Sequence, residues 1–192
     1  LVFSGGSAFG LESATGVQHW LFEHGHGFPV GKTHIPIVPC AVIFDLFANS
    51  TDATQSIVDY RELGRISCEQ SSRKFSLGNA GAGCGAVAGD LKGGTGSASL
   101  SDTQSDYMVG AIAVVNSAGS PVVPGSSVFW AWPFEQQNEL GGQATPKHPD
   151  SLEPHFPRTL GPMAHTTLIA VATDAPLTSN QTKRLAIMAQ DG

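Results

Sequence analysis

Gly161-Pro162-Met163-Ala164-His165-Thr166-Thr167-Leu168-Ile169-Ala170-Val171-Ala172-Thr173 is the stretch on which the reading of this chain turns. Before it runs Pro124 to Pro162, rich in Pro, Gly, Gln and His and without apolar periodicity, which reads as a long surface segment, mobile at its far end. Thr166 to Thr173 then reads as a β-prone apolar run, a buried strand. A tether therefore leads directly into a hydroxyl residue at the first position of a strand. If the His165–Thr166 bond is cut, Thr166 gains a free α-amine next to its own hydroxyl. That amine, with an unperturbed pKa of about 7.7 to 8.0, can act as the base for the hydroxyl. On spacing alone, a Thr-Thr pair opening a strand is more often only a β-former.

Working outward, Thr178 or Ser179 can cap a helix from about Asn180 to Gln190, with Leu185, Ile187 and Met188 as its buried side. Upstream, Gly110 to Asn116 reads as a buried strand ending in a polar residue, followed by a turn at Ser117 to Pro121. Gly78 to Gly96 is dominated by glycine and alanine, which permit tight turns and close backbone approach. Tyr60 to Ser71 suits an amphipathic helix with Leu63, Ile66 and Cys68 on one side. Val38 to Phe47 reads as a buried strand or a short turn of buried chain. Phe9, Ala14, Val17 and Leu21 recur at helical spacing and predict a helix from about Ser7 to His24, stopped by Gly25. Strands alternating with helices predict one layered α/β or α+β domain.

Composition narrows the function. A 192-residue chain, 41% hydrophobic and 14% charged, can bury a sizeable core. Its net charge of −6 is modest and no basic run occurs, so a nucleic-acid groove or an anionic membrane surface is not expected. Apolar runs such as Pro39 to Phe47 fall far short of the roughly 20 residues that span a bilayer, so a soluble, cytoplasmic protein acting on small neutral or polar substrates is expected. Cys40, Cys68 and Cys84 are odd in number and widely spaced, which argues against a disulfide framework or a zinc knuckle. The chain opens without Met and stops at Asp191-Gly192, and it reads as a piece of a longer protein.

Several rival motifs have plainer readings. Gly81-Ala82-Gly83-Cys84-Gly85-Ala86 fits G-x-G-x-x-A, but Lys74 to Leu77 before it makes a poor strand, so close packing of backbone is preferred to a dinucleotide site. His19, His24, His26 and His34 lack an acidic second shell and read as helix-end and loop histidines, not metal ligands. Cys40 and Cys84 have no histidine at a motif spacing and read as small buried hydrophobes. Phe129, Trp130, Trp132 and Phe134 suit either an anchor for the following segment or a subunit contact. No cofactor and no metal is expected.

The run Thr166 to Leu177, continuing to Gln181 and Lys183-Arg184-Leu185-Ala186, resembles the start of the β-chain in the L-aminopeptidase D-esterase family, which includes β-peptidyl aminopeptidases and nylon-oligomer hydrolases. Five further blocks resemble it in order: Ser4-Gly5-Gly6-Ser7-Ala8-Phe9-Gly10-Leu11, Gly27 to Gly31, Val38 to Leu46, Gly78 to Gly83, and Val114-Val115-Asn116. The resemblance implies a self-processing N-terminal-nucleophile hydrolase: an α+β fold of αββα type, two β-sheets flanked by helices. It implies self-cleavage between His165 and Thr166 into an α-chain part, 1–165, whose linker is about 124–164, and the start of a β-chain, 166–192. It assigns Thr166 as nucleophile and Asn116 as oxyanion donor, a role that suits a donor held by a buried strand, although Asn116 by itself would read as a turn residue. Oligomers of the processed unit would fit the family.

Some positions depart from the family pattern. Phe44 stands where nylon-oligomer hydrolases have a Tyr, and their active-site Lys aligns with Asp90, leaving Lys92 as its nearest substitute. His165 replaces the familiar Asn or Gly before the scissile bond. The expected activity is therefore removal of N-terminal residues from peptides, amides or esters. A nylon-oligomer hydrolase, an acyltransferase similar to the ornithine acetyltransferases and an unprocessed binding protein are the alternatives.

Overall fold

A computed structural model of the chain describes residues 1–46, 58–145, 153, 155–156 and 165–191. The chain is a mixed α/β protein. In order come β1 (Val2–Ser4), a 3-10 turn (Ser7–Glu12), α1 (Ser13–Glu23), β2 (Phe28–Val30), β3 (Thr33–Ile35), β4 (Cys40–Val42) and α2 (Tyr60–Glu69). A second 3-10 turn (Gly81–Gly83) leads to β5 (Val87–Ala88), β6 (Leu91–Lys92), β7 (Gly94–Ser101), β8 (Met108–Asn116), a third 3-10 turn (Trp132–Phe134), β9 (Thr166–Thr173) and α3 (Ser179–Met188). Among the described residues the strands form four small sheets: β1 parallel to β4, the hairpins β2-β3 and β5-β6, and the antiparallel sheet β7-β8-β9.

The sheet β7-β8-β9 organises the rest. Val114 of β8 lies opposite Leu168 of β9, and both face a core of Ile43, Ala86, Phe3 and Ala82. Because side chains alternate across a strand, Asn116 and Thr166, two residues further along each strand and also opposite one another, lie on the same face at the core's margin. The parallel pair β1-β4 delivers Ile43 to this core: Ile43 donates its N–H to Ser4 O and accepts from Ser7 N, at 3.0 Å in each case. Ile43 is fully buried.

Most predicted elements are present, with instructive differences. The predicted first helix begins with a 3-10 turn, because Gly6 enters it at φ 80° and the chain tightens before α1 starts at Ser13. The predicted strand 110–116 starts two residues earlier, the predicted second helix ends at Glu69, and β9 has the expected bounds. The capped helix is present, with Thr178 and Gln181 forming a reciprocal capping box. Its predicted buried side is corrected: α3 turns Leu185, Ala186 and Ala189 toward Thr167, Ile169 and Val171 of β9, leaving Ile187 and Met188 exposed on its far side. Leu63 is likewise exposed, since α2 meets α1 through Gly64. Cys84 is exposed, not buried: it follows the Gly81–Gly83 turn, whose backbone packs inward while the side chain points out. In the segment 124–145 the structure has turns and the 3-10 turn Trp132–Phe134. The predicted mobile far end lies largely outside the described residues, as do Phe47 and the residues just before His165.

The contact between α1 and α2 is backbone on backbone. A Cβ added at Gly16 would stand 1.9 Å from Arg61 O, and one at Gly64 would stand 2.0 Å from Ser13 O. Alanine would gain about 1 kcal/mol of helix propensity at each position, but neither carbonyl can yield without separating the helices, and overpacking of this kind costs about 1–3 kcal/mol or more. Packing should win. Gly16→Ala and Gly64→Ala are each expected to lower the thermal unfolding midpoint by several degrees, measured by circular dichroism; an unchanged or raised midpoint would show that the helices do not meet here.

Candidate active site

Asn116 ends β8 and is completely buried. Its carboxamide is bracketed by backbone: Oδ1 accepts from Val87 N at 3.0 Å, and Nδ2 donates to Phe44 O at 3.1 Å. One donor and one acceptor on opposite sides of the amide leave it a single orientation that satisfies both. A buried polar group left without such partners would cost about 1–3 kcal/mol, so the orientation is firmly held.

Each bracket is itself held. Val87 belongs to the β5-β6 hairpin, which is closed by Gly93 N donating to Ala86 O and seated beside the end of β8 by Gly89 N donating to Ser117 O. At Gly93 the backbone comes so close that a Cβ would stand 2.1 Å from Val115 O. The Gly-rich tract thus serves close packing beside Asn116, as its composition predicts. On the other side, Phe44 contributes its carbonyl, and the neighbouring Asp45 accepts from Gly6 N at 2.6 Å. Tyr60, at the start of α2, has its phenol pKa raised, first by burial and then by the nearby Asp45 carboxylate.

Thr166, the first residue of β9, is the direct cross-strand partner of Asn116. Residues so paired carry Cβ atoms about 4.5–5.5 Å apart. Nucleophile and oxyanion candidates, fifty positions apart in the sequence, therefore meet at one end of the sheet. His165 stands just before β9, half-buried, and its Nδ1 is inaccessible to solvent and without a hydrogen-bond partner. Lys92 is exposed and is the cross-strand partner of Val87, whose N–H brackets Asn116, while Asp90 occupies the turn of the same hairpin. A cleft between β9 and α3 is lined by Thr167, Ile169 and Val171, on the face of β9 opposite Thr166.

The rival sites resolve into local structure. His24 stacks on Trp20 with ring centroids 3.9 Å apart and hydrogen-bonds Trp20 O through Nδ1, and His19 Nδ1 meets the Arg61 guanidinium at 2.6 Å. Among the described residues no three His, Cys, Asp or Glu side chains gather as a metal would require. What sequence reasoning missed around Asn116 is the pair of backbone groups, Val87 N–H and Phe44 C=O. No residue type announces a backbone partner.

The chain matches peptidase family S58 over residues 1–192. It is 36% identical over 195 residues to an uncharacterized aminopeptidase of Mycobacterium bovis, covering all of this chain and 55% of that protein. It is also 36% identical over 202 residues to an uncharacterized aminopeptidase of Mycobacterium leprae, covering all of this chain and 53% of that one. The chain thus spans about half the length of the curated relatives it matches. A crystal structure of a Pyrococcus horikoshii protein aligns with 93% of the chain and 43% of its own, at a TM-score of 0.52 and 23% identity, and it shares the fold. The resemblance drawn from the blocks around Asn116 and Thr166 holds along the whole sequence, and the chain belongs to peptidase family S58.

Proposed function

We propose that the chain is part of a self-processing aminopeptidase that removes N-terminal residues from peptides, amides or esters, with Thr166 as its nucleophile. The observation that carries this reading is the cross-strand pairing of Thr166 with a fully buried Asn116 whose amide is fixed by backbone. Family membership and the aminopeptidase names of the relatives support the reaction class. Cleavage before Thr166 frees its amine, Thr166 Oγ attacks the substrate carbonyl carbon, and the amine takes the hydroxyl proton and returns it to the leaving nitrogen. Asn116 steadies the oxyanion with an amide that is already oriented before the charge develops. Water then releases the acyl group from Oγ. The αββα sandwich and the association of processed units into oligomers belong to this proposal as well.

N-terminal sequencing of the fragments of the full-length protein should find one that reads Thr-Thr-Leu-Ile, starting at Thr166. Thr166→Ala is expected to remain uncut and to leave aminoacyl p-nitroanilides intact, while Thr166→Ser keeps part of both activities. A fully active protein that is never cut, or a Thr166→Ala protein that is cut normally, would refute the assignment.

Asn116→Ala should lower kcat by about a hundredfold or more in processed enzyme, the scale for loss of one oxyanion donor. Asn116→Asp should do at least as much harm, because a carboxylate cannot donate to the oxyanion and would face Phe44 O with like polarity. Alanine removes both hydrogen bonds to the backbone and aspartate removes the one to Phe44 O, so the melting transition is measured alongside. Processed Asn116→Asp enzyme with normal kcat would leave Asn116 a structural role alone.

A further inference from the structure

The proposed turnover uses the free amine of Thr166 as its base, but that amine does not exist before the first cut. In the precursor the same nitrogen is a peptide amide, which has no useful basicity. The initial cleavage therefore needs another proton acceptor, close to the His165 carbonyl and sheltered from water.

We propose that the imidazole of His165 carries the proton in its own cleavage from Thr166, an inference that rests on Thr166 being the nucleophile. Among the described residues, His165 Nδ1 is the single buried side-chain nitrogen or oxygen without a hydrogen-bond partner. Leaving such a group unsatisfied is costly, and a cost of that kind at a scissile bond calls for a function. His165 precedes β9, so its side chain is not bound by the strand's alternation to point away from Thr166. Only its own Cα and Cβ separate the ring from the carbonyl under attack. With the hydrogen on Nε2, Nδ1 is an acceptor. Lys92 on the β5-β6 hairpin is less suited, since its side chain is exposed to solvent and not sheltered beside the scissile bond.

The step balances as follows. Thr166 Oγ bonds to the His165 carbonyl carbon as Nδ1 takes the hydroxyl proton. The tetrahedral intermediate collapses, the C–N bond breaks, and the imidazolium gives its proton to the departing Thr166 nitrogen. An ester between His165 and Thr166 Oγ remains. Water hydrolyses it, leaving a carboxylate on His165 and a free hydroxyl and amine on Thr166, after which the amine takes over the role of base.

The test uses the full-length protein carrying His165→Ala or His165→Gln, followed by intact mass under denaturing conditions. Both variants should purify largely uncut, their cleavage slowed by about a hundredfold or more, the scale of a lost general base. Added imidazole should restore cutting before Thr166 in His165→Ala by supplying the missing base, which a merely structural histidine would not allow. Glutamine keeps bulk and hydrogen bonding but has no basic nitrogen, so His165→Gln separates proton transfer from packing. Cleavage of either variant at the rate of the unmodified protein overturns the proposal, as does a His165→Ala precursor that stays intact in imidazole. Failure of the underlying reading has a different signature: a Thr166→Ala protein cut at the same place.

Discussion

The carboxamide of Asn116, held between Val87 N–H and Phe44 C=O, is the constraint on which the described structure depends. Those two bonds join three pieces of chain far apart in sequence: the 43–46 segment, the β5-β6 hairpin and the end of β8. Each piece brings one wall of the core, since Ile43 precedes Phe44, Ala86 precedes Val87, and Val114 lies one alternation before Asn116. A polar side chain at the margin of an apolar cluster thus sets how the walls are aligned, and Thr166 is aligned with them through its pairing with β8.

That arrangement was partly legible in the sequence. The bounds of β9 follow from a run of β-branched and apolar residues, and the start of α3 follows closely from the hydroxyl cap candidates Thr178 and Ser179, because both signals are local. The end of β8 at Asn116 was legible, whereas its start lies two residues before the expected Gly110. β7 was not, since Gly-Thr-Gly-Ser-Ala-Ser-Leu-Ser has little β-propensity and becomes a strand by pairing with β8 over its whole length. The hairpin β2-β3 escaped for another reason: all six of its residues are exposed, so no apolar alternation marks it, and Pro29 counts against a strand. β1 and β4 are three residues each and pair in parallel across the first helix, a relation that no local pattern encodes.

At the site, residue types were legible and relations were not. Thr166 was conspicuous for opening a strand after a long segment, and Asn116 for closing one, yet only the antiparallel register places them face to face. The family resemblance named both and came from six blocks read in order. Asn116 is no turn residue: it is part of the β8 ladder and entirely enclosed. The Gly-rich tract was correctly read as close packing, but its object, the backbone of β8 beside Asn116, appears only in three dimensions. Cys84 misled because cysteine is usually buried, and a turn packed through its backbone reverses that preference.

The pairing of β8 with β9 runs through eight consecutive register positions, from Val109 with Thr173 to Asn116 with Thr166. A cut just before β9 would remove one covalent link and none of this ladder. The two polypeptides would stay together through folding alone, each held at the high effective concentration that the shared sheet imposes. They would migrate as one particle in native buffer and as two in denaturant, and the new amino terminus would have no freedom to wander from the buried amide opposite it. Connectivity could be given up while the ladder remains, because β9 is held by its pairing with β8.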